Sequence, residues 1–305
     1  MERGLLSDAK LAKSYGDVVW MYLFQDFSKS EQDRAAERVA IRFGISSWPQ
    51  HFLVDPFTLK TLADTGRSLD SFTAAVERTN VEKSEPTPSV ADFVAFDALA
   101  RSLEKDASLA LAQKHLQHED IVVSYRAVEI AAKKAPAVLV KASAALLTSP
   151  NDQIRYAVCD ALASEGDPGS PEPLHAMLRD PGASRNPNVL RIHAVKALAR
   201  CGDALSLAAI EPFATSGAWR NGLTRVSIDS IVAICGREAK ARRQAIEILA
   251  KAYPAPPAPE EAAEQKPCES LAKDVHSALE KLSGKRVAFP HDYTPSKRDE
   301  LMKAW

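Results

Sequence analysis

Three arginines recur at a nearly constant interval: Arg155, Arg191 and Arg225, spaced 36 and 34 residues apart. Each sits near the start of a related stretch, NDQIRYAVCDALASEGD at Asn151–Asp167, NPNVLRIHAVKALARCGD at Asn186–Asp203 and RNGLTRVSIDSIVAICG at Arg220–Gly236. Guanidinium groups repeating in phase either bond carboxylates and helix ends of adjoining repeats or form a row that grips an anionic ligand. The structural role is the expectation. Cys201 and Cys235 occupy matching positions of neighbouring copies, a candidate thiol pair whose oxidation requires suitable Cα spacing and geometry; reduced core thiols are expected. His115 and His118 lie at i, i+3, but two imidazoles without a third ligand make a poor zinc site, so surface histidines are expected. His193, inside a repeat, reads as a residue satisfied between repeats. The chain holds no G-x-S-x-G, P-loop, G-x-G-x-x-G or H-E-x-x-H pattern, and its carboxylates are scattered. No catalytic residue, metal site or cofactor is assigned.

The elements that carry these residues follow from composition and periodicity. The 305 residues leave room for about two domains. A 46% hydrophobic and 26% charged composition is that of a soluble globular protein, and only 12 glycines favour helix. A net charge of −1 gives no broad attraction to nucleic acid or acidic lipid. No apolar run approaches the ~20 residues of a membrane span. The N-terminus lacks the layout of a signal peptide, so the chain as written is expected in the cytoplasm, or in the periplasm or outside if a leader precedes Met1. The four cysteines form no C-x-x-C.

Residues 1–80 read as an α/β unit in the order β-α-β-β-α, behind a short helix over Leu5–Tyr15. Val18–Phe24 (VVWMYLF) suits a buried strand, Ser30–Phe43 a helix ended at Gly44, His51–Asp55 and Leu59–Ala63 two strands, and Leu69–Arg78 a closing helix. The run RFGISSWPQHFLVDP followed by LADTGRSLDSFTAAVE resembles the C-terminal half of a thioredoxin-like domain. In that family Pro49 would be the cis-proline and Trp48 the residue before it, and the groove beside them accepts a peptide strand. The first strand and the C-x-x-C that the family requires are missing, and thioredoxin chemistry depends on that dithiol. Met1-Glu2-Arg3 resembles the residues directly after C-x-x-C in one branch of the family. Two readings stay open: a start placed too late, or a degenerate relative without redox activity. The missing strand would leave an open sheet edge, through which an oligomer could form.

Residues 81–89 (VEKSEPTPS) form a linker. From 90 to 252 the helical pattern is nearly continuous, broken at points such as Pro136, Ser149-Pro150 and Gly202-Asp203. A helical pattern recurring at this period marks an α-solenoid, since one helix pair cannot bury its apolar face alone. The layout D-x-x-I-R-x-x-A-x-x-A-L-x-x-x-G-D at Asp152–Asp167 resembles HEAT repeats of the short, PBS-lyase-like kind, an armadillo-type α-α superhelix. Residues 253–267 are a Pro-rich linker, and 268–305 a capping helix and tail that resembles the ends of bacterial HEAT-repeat proteins. The fold expected is therefore multidomain: a partial thioredoxin-like α/β domain followed by an all-α solenoid.

The functional expectation is a non-catalytic scaffold. A protein partner would lie on the concave face of the solenoid, positioned by a redox-inactive thioredoxin-like module. The alternative is a thiol–disulfide oxidoreductase whose dithiol lies upstream of a misplaced start. A minor alternative, from the repeat type, is a bilin lyase-like chromophore chaperone.

Overall fold

The computed structural model of the chain describes residues 30–45, 51–65, 68–79, 81, 85–166, 169, 171–182, 184, 186–218 and 222–305. Two compact units emerge, residues 1–127 and 128–305, and helix α5 (Ile121–Lys134) carries the boundary.

The first unit begins with α1 (Glu31–Arg42), whose N-cap Ser30 accepts from the Asp33 N–H at 3.0 Å. Strands β1 (Phe52–Val54) and β2 (Thr61–Asp64) pair antiparallel, with Leu53 opposite Ala63 and a register shift between Leu53 and Val54. The turn between them is tied by Asp55, which accepts from the Phe57 N–H at 2.8 Å and the Thr58 hydroxyl at 2.7 Å. Helix α2 (Leu69–Arg78) buries Phe72 against Leu53, with Ala63, Leu69, Ala75 and Val76 around them. The order helix–strand–strand–helix appears among the described residues, with a sheet of only two short strands. That sheet is too small to identify a thioredoxin-like domain. The expected strand at Val18–Phe24 and the expected cis-proline segment with Trp48 and Pro49 lie outside the described residues. Helices α3 (Val90–Asp106) and α4 (Leu109–His115) and the first turns of α5 complete the unit.

The second unit is a two-layer stack. Short helices α6 (Pro136–Lys141) and α7 (Ser143–Leu146), broken at Ala142, lead into α8 (Asp152–Glu165). There follow α9 (Glu172–Arg179), α10 (Pro187–Cys201), α11 (Ala204–Ala214), α12 (Gly222–Arg237), α13 (Arg242–Lys251), α14 (Gln265–Ser283) and α15 (Pro295–Ala304). The longer helices α8, α10, α12 and α14 pack each on the next. The shorter α9, α11 and α13 form a second row, and each longer helix from α10 onward pairs with the shorter one before it. Such packing shares one core among successive pairs. Val158, Leu162, Leu190, Ala194, Ala197, Leu198, Ile231 and Leu279 are buried within it. Alanines at Ala194 and Ala197, both 0% exposed, let the backbones approach closely.

Side-chain caps mark the starts of α8 and α11. The Asn151 side chain accepts from the Gln153 N–H (2.8 Å) and the Ile154 N–H (3.3 Å), while Asp203 and Ser206 form a capping box on α11. Gly202 joins α10 to α11 too tightly for any side chain: a Cβ there would lie 2.5 Å from the Leu198 carbonyl oxygen. Helix α14 begins at Gln265, inside the stretch read as a Pro-rich linker, and Tyr253 at the start of that stretch is buried.

Candidate functional site

The polar side chains that the repeat pattern singled out sit mostly on the long helices α8, α10 and α12. Arg155 on α8 is 7% exposed; it donates to the Pro181 carbonyl at 2.9 Å and to the Asp152 carboxylate. Its Nε is buried without a partner among the described residues. On α10, Arg191 donates to the Leu178 carbonyl at 3.2 Å, and its guanidinium lies 5.4 Å from the Phe213 ring centre. Arg191 thus meets the last turn of α9, where carbonyls lack helical partners and a cation is favoured, while Arg155 meets the loop just after it. Arg225 on α12 reaches elsewhere, to Asp274 (3.1 Å) and Ser270 (2.9 Å) of α14, and its side chain is 42% exposed. The three arginines each join neighbouring elements, but they do not share one acceptor row. A fourth, Arg237, donates to the Ala199 carbonyl and, at 3.0 Å, to the Gly202 carbonyl at the end of α10.

The thiols have different surroundings. Cys159, Cys201, Cys235 and Cys268 form no disulfide among the described residues. Cys201 donates to the Ala197 carbonyl and lines a cavity of about 10 Å³ with Ser143, Leu162 and Leu174, room for about one water. Burial pushes the Cys159 thiol far up, with Asp160 and Cys201 adding to the shift. Burial also raises Cys235, against the opposing pull of Arg242. Thiols held in their protonated form are poor nucleophiles and poor metal ligands.

Two histidine arrangements stand out on geometry. His193 of α10 stacks on Tyr156 of α8 at 4.6 Å and meets the Asp160 carboxylate at 2.6 Å, which ties successive long helices. Burial raises the Tyr156 phenol to about 12, with Asp152 adding to it, and its hydroxyl has no partner among the described residues. His175 of α9 bridges Glu172 (3.3 Å from Nδ1) and Ser206 (2.7 Å from Nε2), an acid–imidazole–hydroxyl order that resembles a hydrolytic triad. Ser206 is 0% exposed and its oxygen accepts from the Asp203 N–H, so the hydroxyl is a sealed cap with no room for a substrate. His115 and His118 are half-buried, 5.6 Å apart; burial first, then His118 and Lys114, lowers His115. Among the described residues no cluster of His, Cys, Asp and Glu is arranged to hold a metal ion, and no helix is long and apolar enough to cross a membrane.

The first unit holds a cluster that periodicity did not announce. Glu104 of α3 accepts from Arg38 of α1 at 2.8 Å and from Arg126 of α5 at 3.0 Å. Arg38 also meets Asp97 (3.0 Å) and Glu31 (3.0 Å), and Arg126 meets Glu37 (2.6 Å). The side chains of Arg38, Arg126 and Glu104 are 5, 7 and 11% exposed. Arg42 lies over the Phe93 ring and pairs at 2.7 Å with Asp120, the residue that caps α5. The legible signal was register: Glu104 stands four residues after buried Ala100, and Arg126 stands three after buried Val123, on stripes where apolar residues belong.

A family model described as HEAT repeats matches residues 108–186, from just ahead of α4 to the residue that precedes α10. No curated protein and no solved structure matches the chain.

Proposed function

We propose that this chain is a non-catalytic scaffold that holds an extended segment of a protein partner along the exposed side of the α8–α10–α12–α14 layer. The observation that carries the reading is that layer itself, four long helices side by side, together with the HEAT-repeat match over part of the chain. Parallel helices present grooves into which a peptide can lie, and HEAT-type repeats serve widely as protein-interaction modules. The outward residues are mixed in character: the Tyr156–His193–Asp160 group, then Lys196 and Arg200, then Arg225 beside Asp229 and Asp274. Burial first, and the neighbouring Asp274 second, raise the Asp229 carboxyl, so this part of the face gains from a partner cation.

Residues 1–80 enter the proposal as a thioredoxin-like half that positions the target beside Trp48 and Pro49 without redox chemistry. Support for that part is the helix–hairpin–helix order alone. The test is a crosslinking capture with the full chain and two surface variants. Lys196→Glu with Asp229→Lys on the long-helix face should lose the captured protein, whereas Arg179→Glu with Arg243→Glu on the short-helix row should retain it. Equal capture by both variants removes the face from the proposal.

A further inference from the structure

The tail of the chain meets the end of the stack at one hydroxyl. The Tyr253 oxygen accepts from the Trp305 indole N–H at 3.0 Å and lies 2.8 Å from His276 Nδ1. The other ring nitrogen, Nε2, lies 2.6 Å from the Val287 carbonyl oxygen. A carbonyl only accepts, so Nε2 carries the imidazole proton. In the neutral ring Nδ1 is then the acceptor, and the Tyr253 hydroxyl donates to it. The direction of every bond is fixed: indole to phenol, phenol to imidazole, imidazole to carbonyl.

We propose that this relay is an acid-released latch on the C-terminal tail. Protonation of His276 places a second hydrogen on Nδ1, facing the hydrogen that Tyr253 already points there. The phenol would have to turn its hydrogen away. Tyr253 is 1% exposed, so water cannot receive it, and an unpaired buried donor is costly. Release of Trp305 and the tail opens the site to water and removes the conflict.

Charged side chains come to this cluster from α14, the helix that carries the ring, and from α15. Within α14, Glu280 lies 3.9 Å from Nε2 and favours the charged ring, but it is 37% exposed and also accepts from the Val287 N–H. Lys273 sits over the Phe289 ring, which itself contacts the imidazole at 5.3 Å. From α15, Arg298 donates to the Tyr253 carbonyl at 3.0 Å, and the Trp305 ring lies 5.4 Å from the imidazole.

The test follows the Trp305 indole N–H by NMR in the full chain, assigned by its disappearance in Trp305→Phe. Between about pH 8 and about pH 5, the range in which imidazoles gain their charge, its protection from exchange beyond the intrinsic pH effect should fall about tenfold or more, the size of effect expected from about 1.4 kcal/mol. The backbone N–H of Leu198 should keep its protection over the same range. In His276→Gln the Trp305 signal should no longer respond to pH, and in Tyr253→Phe it should be unprotected throughout. Nitrogen shifts of the His276 ring in the native chain supply a readout that needs no variant, and should report the Nε2–H form at high pH. Persistent protection of Trp305 at low pH, an unchanged response in His276→Gln, simultaneous loss at Leu198, or an Nδ1–H ring would each overturn the latch.

Discussion

One buried polar cluster in each unit is satisfied by opposite means. In the first, α1, α3 and α5 are held by charge: one carboxylate, Glu104, between two buried guanidinium groups, Arg38 and Arg126. In the second, the end of the stack is held by neutral groups, Tyr253, His276 and Trp305, joined donor to acceptor in one direction. A buried ion pair gains little over an apolar contact while intact but is expensive to half-remove. A neutral relay costs less to half-remove, because no net charge is left buried, and it has a second way to fail: one member acquires a charge. The contrast teaches that the same degree of burial produces different vulnerabilities.

The largest expected effect comes from Glu104→Gln. It leaves Arg38 and Arg126 facing each other without their shared anion, and the first unit should lose about 3–5 kcal/mol by chemical denaturation. A change under about 1 kcal/mol would mean that Glu37, Asp97 and Glu31 carry the cluster without it.

Alkali tests the other side of the comparison. Burial, the largest cause, raises the Tyr253 phenol from its ordinary 10.0 to about 12. Below pH 10 both folded and unfolded chains keep the proton, so stability does not depend on this group. Above 10 the unfolded chain releases it first, and stability of the second unit should fall as pH rises to about 12, by roughly 2–3 kcal/mol at about 1.4 kcal/mol per unit. In Tyr253→Phe that component of the alkaline loss should vanish.

Two smaller substitutions sharpen the contrast within the stack. Asp203→Ala removes the carboxylate of the α11 capping box and should cost about 1 kcal/mol of thermal stability. Tyr156→Phe deletes a hydroxyl that has no partner among the described residues, so melting should be unchanged or raised by up to about 1 kcal/mol. A clear loss there would show that the hydroxyl is satisfied in solution.

Much of the stack was legible because helical periodicity and breakers act locally. Asn151, Gly166 and Gly202-Asp203 mark helix ends by their own chemistry, and Ala194 and Ala197 mark close packing by size. The arginine period was legible too, but not its targets: Arg155 reaches the loop after α9 and Arg191 the end of α9, while Arg225 reaches α14, which depends on where helices lie in space. The Glu104 cluster joins residues 66 and 22 positions away, and no local pattern encodes such partners. Cys201 and Cys235 matched in the repeat register, yet the thiol that bears on Cys159 is Cys201. Sequence spacing gives position along a stack, whereas side-chain direction depends on helix rotation.

The central claim is that the second unit is a stack whose repeats share one core. Native-state hydrogen exchange on the full chain with Leu198→Ala tests it most directly. Leu198 is 0% exposed in α10, and its truncation should cost about 2–5 kcal/mol. Protection should fall in α8 and α12 as well as in α10, and least in α14. Loss confined to α10, with its two neighbours unaffected, would contradict the shared core.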